Sequence, residues 1–485
     1  MGENMQFKVS SSLSKKSSAK ELNTAKSNIY IYNSKTQKDV HSIVSKEFST
    51  WQKSALKNSN ETTYTGKNGP IYLCKLEAKS SDSHSGLLER SLYASAREQI
   101  GRLTNSLVAD KSKEITFNFY TESEEEIIGS IVGIELALYR FNGSENIGTL
   151  KFNSFNKKVS TSLVNKAKAI ALGVNQARHL VNLPPNDLNP VSYANEVKDL
   201  FKTSKTMKVT ILDEKKLQKE NCNLLLSVGM SSNNKPRIVH LKYRPKGASK
   251  KSVALIGKGI TFDSGGLDMK PAAGMRYMKK DMGGSACLVG FSRWLESSGV
   301  RKNVDIYLAL AENAVSENAS RPSDIYKARN GLTVEIHNTD AEGRLALADA
   351  MDLALELKPE VMIDVATLTG AGKVALGQDI ASLFSNNDAL ADELLSSSHK
   401  MGDLVWRMPL YNPYFSGLKS DFADMVNSAS GHGGAITAAL FLQKFVGKTK
   451  WAHLDIFAWT NGSKPSLVQK GGSGQGVETL IGYFS

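Results

Sequence analysis

The feature that most constrains the fold is a set of short, nearly continuous apolar segments in the last two thirds of the chain. They read KVTILD (208–213), RIVHLKY (237–243), SVALIG (252–257), VDIYLALA (304–311), VMIDVATL (361–368) and AHLDIFAW (452–459). Strands with little alternation between apolar and polar residues are typical of a sheet that helices cover on both faces. Helical segments fit between them at 283–298, 341–357 and 435–446. The pattern therefore predicts an α/β fold around a mostly parallel sheet flanked by helices.

The first third of the chain predicts a second sheet of the same kind. Its strand candidates, rich in β-branched and aromatic residues, are IYIYN (29–33), PIYLCKL (70–76) and EITFNFY (114–120). Helical periodicity covers 85–107, and Ser123 stands three residues before Glu126, as in a capping box, at the start of an apolar run. Alternating strands and helices again favour a mostly parallel sheet.

The chain length indicates more than one domain. At 485 residues, the chain exceeds the size at which one hydrophobic core usually stops growing. A helix-like segment at 163–182 runs into consecutive prolines, and the strand candidates after it are more apolar than those before it. We therefore predict an α/β domain at 1–160 and a second at 161–485, entered through this helix.

The apolar runs and the cysteines of the sequence indicate in which cellular compartment the protein is expected. No apolar run reaches the 18 to 20 or so residues that a membrane span needs, and the first residues contain no apolar secretory segment. The three cysteines, Cys74, Cys222 and Cys287, are widely spaced, which favours a reducing compartment and argues against a disulfide framework. We expect a cytoplasmic protein without membrane contact.

The net charge of +13 leaves two interpretations open. A basic surface attracts nucleic acid, but a lysine-rich surface composition gives the same number. The lysines of the first 60 residues are scattered among Ser and Asn rather than gathered into a basic helix. Nucleic-acid binding is therefore kept as an alternative function.

The segment after SVALIG concentrates charge among glycines. Between 257 and 286 it places Lys258, Asp263, Lys270 and Asp281. The GKG triplet lacks the upstream Gly and the following Ser or Thr of a phosphate loop, and DSG lacks the second copy that an aspartic protease needs. Taken alone, this segment fits a solvated glycine-rich loop as well as a ligand site.

A second charged segment decides between those readings. VEIHNTDAEGRLALADAM (334–351) places Asp340, Glu342 and Arg344 at alternate positions between a strand-like and a helix-like run. Two more carboxylates beside the first two would repel one another strongly unless cations lay between them, and oxygen ligands suit Zn²⁺, Mn²⁺ or Mg²⁺. Two such ions can share and acidify a bridging water. No HExxH motif occurs, and we interpret His337 as a structural strand residue rather than a ligand.

These motifs resemble a known family. The string NTDAEGRL (338–345) is similar to the signature of the leucine (cytosol) aminopeptidases, which are dinuclear-metal exopeptidases. The resemblance extends over 175–485 through GKGITFDSGGLDMKP, MKKDMGGSA, RHLVNLPPNDLNP, DVATLTGA and GGAITAALFL. The first third matches only in length and strand pattern, as is usual for the variable domain of this family, for which an oligomeric or regulatory role is expected.

The resemblance implies a ligand set for two divalent ions, Zn²⁺ or Mn²⁺, with Mg²⁺ or Co²⁺ as further candidates. Asp263 and Glu342 would bridge the ions, and Asp340 would hold the more exchangeable one. Lys258, as a neutral amine, and Asp281 would complete the tighter site.

The resemblance also implies two catalytic residues. Lys270 would stabilise the oxyanion of the tetrahedral intermediate. Arg344 would hold a bicarbonate that serves as general base for the bridging water.

The pocket for the first side chain of the substrate is less typical. By resemblance, Met278, Thr367 and Gly370 line it, while Phe457 stands in HLDIFAW where many relatives read HLDIAG, and is expected to reshape it. His432, in the GHGG stretch at 431–434, is interpreted as incidental.

The implied activity is release of the N-terminal residue, with leucine and other apolar residues favoured, from peptides with a free N-terminus. The alternatives are a DNA-binding role, known for some members of the family, and a dipeptidase acting on Cys-Gly-type substrates. The family assembles as hexamers, so a homohexamer is also expected.

Overall fold

A computed structural model describes residues 23–48, 61–66, 69–76, 91–107, 112–145, 148–155 and 157–485. The residues at 85–90, with which one predicted helix begins, and most of the lysines of the first 60 residues lie outside these ranges. Within the described residues, no helix is both long and apolar enough to cross a membrane.

The strands are β1 Asn23–Tyr32, β2 Glu61–Gly66, β3 Gly69–Lys75, β4 Ser112–Tyr120, β5 Thr149–Ser154, β6 Lys157–Lys158, β7 Met207–Leu212, β8 Arg237–Tyr243, β9 Ser252–Asp263, β10 Asn303–Asn313, β11 Ile325–Lys327, β12 Thr333–Glu335, β13 Val361–Ala366, β14 Ala381–Ser385, β15 Val405–Arg407, β16 Met425–Val426, β17 Lys450–Asp455, β18 Trp459–Thr460 and β19 Gly471–Gly472.

The α-helices are α1 Gln37–Val44, α2 Leu92–Leu107, α3 Glu124–Leu138, α4 Thr161–Asn182, α5 Pro190–Leu200, α6 Glu214–Lys219, α7 Asn223–Gly229, α8 Ala272–Met275, α9 Gly283–Ser298, α10 Gly343–Leu355, α11 Gly370–Leu376, α12 Asp388–Met401, α13 Gly434–Gln443 and α14 Val477–Phe484. Short 3₁₀ turns occupy Ser45–Glu47, Met278–Lys280 and Asn412–Leu418.

The first sheet has the strand order β2-β3-β1-β4-β5-β6. Its inner pairs, β3 with β1, β1 with β4 and β4 with β5, are parallel, and the two edge strands are antiparallel. Helix α3 starts as predicted, because the Ser123 side chain accepts the Glu126 N–H. The carboxylate of Glu126 pairs with Thr121 instead of returning to the cap, so the capping box is only half formed.

The second sheet has eight strands in the order β15-β14-β17-β13-β9-β10-β8-β7. Its centre, β17-β13-β9-β10, is parallel throughout, and antiparallel pairs lie toward both sides. Helices pack on both faces, so the predicted α/β class with helix-flanked sheets is confirmed. The predicted domain boundary near 160 falls between β6 and α4 and stays a prediction.

Strand β9 is longer than the sequence pattern indicated. SVALIG was expected to end a strand at 257, but pairing with β10 continues to Asp263. Glycine at 257 and 259 reflects close packing rather than a loop: a Cβ at Gly257 would lie 2.7 Å from the Ser285 Cα, and one at Gly259 would lie 2.4 Å from a Leu310 methyl carbon. The sheet therefore carries Lys258 and Asp263 on a rigid strand.

Helix α2 is tied to the C-terminal helix by a buried ion pair. Arg97 Nη1 lies 2.5 Å from the Glu478 carboxylate and 3.0 Å from the Met401 carbonyl oxygen. Tyr93 donates to the same carboxylate at 2.5 Å. These contacts join the N-terminal helices to the layer that supports the second sheet.

Candidate metal centre and active site

Polar side chains gather at the carboxyl ends of the central strands. Asp263 ends β9, Asn313 ends β10, Asp455 ends β17, and Thr367 follows β13. Because these strands are parallel, their carboxyl ends meet at one edge of the sheet, where α/β proteins usually place ligands.

Three carboxylates from two distant segments converge at this edge. Asp263, Asp340 and Glu342 each offer an oxygen atom, and these atoms lie within 4.8 Å of one another. Asp340 and Glu342 come from the turn before α10, and Glu342 is its N-cap residue. The carboxamide of Asn313 donates to Asp263 at 2.9 Å and to the Thr339 carbonyl oxygen at 3.2 Å, which links the two segments.

Lys258 connects this carboxylate group to a fourth carboxylate, that of Asp281. Its Nζ is 2.7 Å from Asp281, 3.0 Å from Glu342 and 2.9 Å from the Thr367 carbonyl oxygen. The Thr367 hydroxyl in turn donates to Asp281 at 2.8 Å. A Cβ at Gly343 would lie 2.3 Å from Lys258 Cε, so glycine after Glu342 leaves the room that this lysine occupies.

Lys270 approaches the group from the solvent side. Its Nζ lies 2.8 Å from Asp263 and also contacts Asp340. Its side chain is 15% exposed, compared with 3% for that of Lys258, so the two lysines differ in access to solvent.

Burial dominates the electrostatics of the carboxylates. It raises the pKa of Glu342 to about 8, with Asp263 adding to the shift. Burial likewise raises the pKa values of Asp281 and Asp340. Burial disfavours the charged form of Lys258, but Asp281 and the other carboxylates outweigh it and raise its pKa. Neighbouring carboxylates in a low-dielectric site repel one another when ionised, and a positive charge close to them stabilises the ionised forms.

The carboxylate group fits divalent cations on one further observation. Glu342 is 2% exposed, and its Oε2 has no hydrogen-bonding partner among the described residues. A buried carboxylate oxygen without a donor is costly unless a cation satisfies it. Asp263, Asp340 and Glu342 would supply the oxygen ligands of such an ion, and Asp281 and Lys258 lie in contact range to extend the set.

Arg344 lies on the first turn of α10, two residues after Glu342. It is 7% exposed, and burial lowers its pKa to about 10. Its Nη1 donates to the Asn427 carbonyl oxygen at 2.9 Å, while its Nε has no partner among the described residues. This free, buried donor fits a small anion.

The four predicted pocket residues occupy different positions around the site. Thr367 belongs to the centre itself, through Asp281 and Lys258. Met278 is half-buried and begins the 3₁₀ turn before Asp281, and Gly370 is exposed at the start of α11. Phe457 is half-buried after β17, with the Nζ of Lys280 at 4.5 Å and that of Lys373 at 4.7 Å from its ring centroid.

Sequence reasoning missed several residues that build the site. The Asn427 carboxamide accepts the His337 and Asn338 N–H groups at 2.8 and 3.1 Å, and donates to the Asn338 carbonyl oxygen at 2.7 Å. Asp455 accepts the Leu368 and Thr369 N–H groups. No local motif marks Asn427, but the position of Asp455 at a strand end was a usable signal.

Lys280 was also overlooked, although it stands inside the quoted segment MKKDMGGSA. It is 6% exposed, and burial lowers its pKa to about 8. A lysine directly before a candidate ligand, in a segment otherwise rich in glycine, could have been singled out.

Two histidines stay outside the centre. His337 is exposed two residues beyond β12, so its assignment to a strand was wrong, and its Nδ1 lies 2.8 Å from the Ser428 carbonyl oxygen. It is not part of the carboxylate group. His432 is exposed between Gly431 and Gly433, both with positive φ.

Comparison with solved structures places this arrangement among peptidases. The cytosol aminopeptidase from Coxiella burnetii superposes with a TM-score of 0.80 at 31% identity, covering 96% of this chain and 98% of that one. The bottromycin maturation enzyme BotP in complex with Mn gives a TM-score of 0.81 at 28% identity, covering 95% and 99%.

Sequence comparison agrees. The probable cytosol aminopeptidase of Brucella anthropi is 46% identical over 316 residues, 65% of this chain and 63% of that relative. The protein of the same name from Cyanothece sp. is 36% identical over 442 residues, 87% of this chain and 89% of the relative. The model of the cytosol aminopeptidase family, catalytic domain, matches residues 175–481. This chain belongs to the cytosol aminopeptidase family.

Proposed function

We propose that this protein is a metal-dependent aminopeptidase that releases N-terminal residues, leucine and other apolar residues among them, from peptides. The observation that carries the proposal is the convergence of Asp263, Asp340 and Glu342, whose oxygen atoms lie within 4.8 Å of one another. Family membership and the Mn complex of the related maturation enzyme support the same conclusion.

The five residues Lys258, Asp263, Asp281, Asp340 and Glu342 would hold two divalent ions, Zn²⁺ or Mn²⁺ in the first instance. Bound there, the ions would supply an acidified water as nucleophile and a Lewis acid for the peptide carbonyl. Lys258 must release its proton to act as a ligand, which makes loading of the site dependent on pH.

Lys270 and Arg344 would act on the substrate side. Lys270 has access to solvent and already carries its charge next to Asp263, so it can donate to an oxyanion. The unpartnered Nε of Arg344 supports binding of an anion such as bicarbonate, which would accept a proton from the attacking water. No histidine of the described residues belongs to the carboxylate group, and the carboxylates of this group are assigned to the metal ions, which supports a bound anion as the base.

The test is hydrolysis of leucine 4-nitroanilide by the full chain before and after chelation. We expect activity to disappear with the chelator and to return when Mn²⁺, Zn²⁺ or Co²⁺ is restored separately. Asp263→Asn keeps the shape of the side chain and should abolish the return, whereas Asp392→Asn, an exposed carboxylate on α12, should not. A folded protein that is inert with every metal would refute the proposal.

A further inference from the structure

Lys280 is a largely buried lysine whose ammonium group lies beside the Phe457 ring. It is 6% exposed and forms neither a hydrogen bond nor an ion pair with any described residue. Its neighbour Asp281 is engaged by Lys258 and Thr367. The side chain as a whole is removed from solvent, so its ammonium group loses hydration without gaining an acceptor from the described residues, and such a group favours binding of an anion.

Asp455, the other carboxylate whose charge acts on Lys280, forms no ion pair with it among the described contacts. One oxygen of Asp455 accepts the Leu368 and Thr369 N–H groups at 2.9 and 3.2 Å, and the other accepts the Thr369 hydroxyl at 2.6 Å. Asp455 is thus committed to holding the segment between β13 and α11. The lysine keeps its donors free.

A second lysine lies beside the same aromatic ring. Lys373 is exposed on α11, and its Nζ is 4.7 Å from the Phe457 ring centroid, compared with 4.5 Å for Lys280. The Nζ atoms of Lys280 and Lys373 both lie within 4.7 Å of the Phe457 ring centroid, so the distance between the two Nζ atoms is at most twice 4.7 Å. Like Lys280, Lys373 pairs with no carboxylate among the described residues.

These contacts form what we call the lysine pair, Lys280 and Lys373 at the Phe457 ring. We propose that the lysine pair binds the side-chain carboxylate of substrates that begin with glutamate or aspartate, so that the pocket selects an acidic residue over its neutral amide. This inference rests on the proposed aminopeptidase function and on Phe457 lining the pocket for the first side chain.

The arrangement also accommodates apolar residues. The Phe457 ring offers an apolar face, and a lysine beside an aromatic ring gains a modest cation–π attraction when no anion is present. A carboxylate would replace this weak contact by charge-assisted hydrogen bonds, which are shorter and stronger. Glutamine has the same shape as glutamate without the charge, so the comparison of the two isolates the electrostatic contribution.

The experiment compares kcat/KM for glutamyl, glutaminyl and leucyl 4-nitroanilides with the metal-loaded full chain. We expect the glutamyl substrate to exceed the glutaminyl one by about tenfold, which corresponds to one hydrogen bond to a charged group. Lys280→Met and Lys373→Glu should each reduce this ratio at least severalfold. Lys373 is exposed, so its charge reversal tests the proposal even if substitution of the buried lysine impairs folding.

Lys444→Met is the matched control, because Lys444 Nζ lies 4.1 Å from the Phe415 ring centroid, a similar contact elsewhere. Its glutamyl-to-glutaminyl ratio should equal that of the parent protein. The inference is overturned if the protein hydrolyses the leucyl substrate but its glutamyl-to-glutaminyl ratio of kcat/KM is one or less. It is also overturned if that ratio is unchanged in both lysine-pair variants. Either result leaves the aminopeptidase function standing. Absence of hydrolysis for all three substrates with every metal refutes both.

Discussion

The glycine of the NTDAEGRL motif provides a direct test of how the centre is packed. In Gly343→Ala the new Cβ would lie 2.3 Å from Cε and 2.5 Å from Nζ of Lys258. Carbon atoms in contact need about 3.5 Å or more, so the lysine must retreat by at least about 1 Å. Its contacts to Asp281, Glu342 and Thr367, at 2.7, 3.0 and 2.9 Å, cannot all survive that shift.

These contacts set the loss in the free energy of unfolding that Gly343→Ala should cause. Overpacking of this kind destabilises by about 1–3 kcal/mol, and the better helix propensity of alanine returns at most about 1 kcal/mol. We expect a net loss of about 1–2 kcal/mol in the free energy of unfolding, together with weaker metal binding. Urea unfolding followed by circular dichroism measures the first effect, and competition with a chromophoric chelator measures the second.

Gly274→Ala is the matched control for this prediction. Gly274 also lies in a helix, α8, but a Cβ there meets nothing within 4 Å. With no overpacking to offset it, only the helix-propensity gain remains, so this variant should be unchanged or more stable by up to about 1 kcal/mol. If Gly343→Ala were as stable as the parent protein and bound metal equally well, the assignment of Lys258 to a tightly packed ligand position would be wrong.

Three further results are expected. Asp349→Asn should destabilise by about 1–3 kcal/mol, because one oxygen of this buried carboxylate accepts two main-chain N–H groups at the start of α7, at 2.8 and 3.0 Å, and the other accepts the Arg329 N–H at 3.0 Å, so that the NH₂ group of asparagine would face a donor; thermal unfolding measures the loss. Burial disfavours ionisation of Asp305, but hydrogen bonds from His240 and Arg244 outweigh it and lower its pKa. Its contribution to stability is therefore present above the unfolded-state pKa of about 4 and lost as the pH falls through the folded-state value. Arg244→Gln should cost about 1 kcal/mol at pH 7, and in parallel urea titrations this cost should shrink progressively as the pH falls below about 4. Lys270→Met should lower kcat for leucine 4-nitroanilide by about 10²–10³-fold, as loss of one oxyanion donor does, and a change confined to KM would contradict the assigned role.

The local patterns of this sequence were sufficient for much of the fold. Apolar runs located the buried strands, and α9 occupies 283–298 as predicted, because a strand or helix buried on several sides must be apolar along its length. The loop expected after SVALIG is instead part of β9. Glycines 257 and 259 resemble loop residues in sequence, and only the closeness of Ser285 and Leu310 explains them.

The sequence by itself determined which charged side chains lie together at the start of α10. Asp340, Glu342 and Arg344 stand within five residues, and neighbours this close in sequence stay close in the folded chain. Tertiary structure decided which partners each of these side chains has. Asn427 holds the 338–341 turn although it lies more than 80 residues further along the chain. The lysine pair and Phe457 likewise come from three separate segments. Such contacts depend on which strands lie side by side at one edge of the sheet, and strand order is fixed by long-range packing that no local pattern contains.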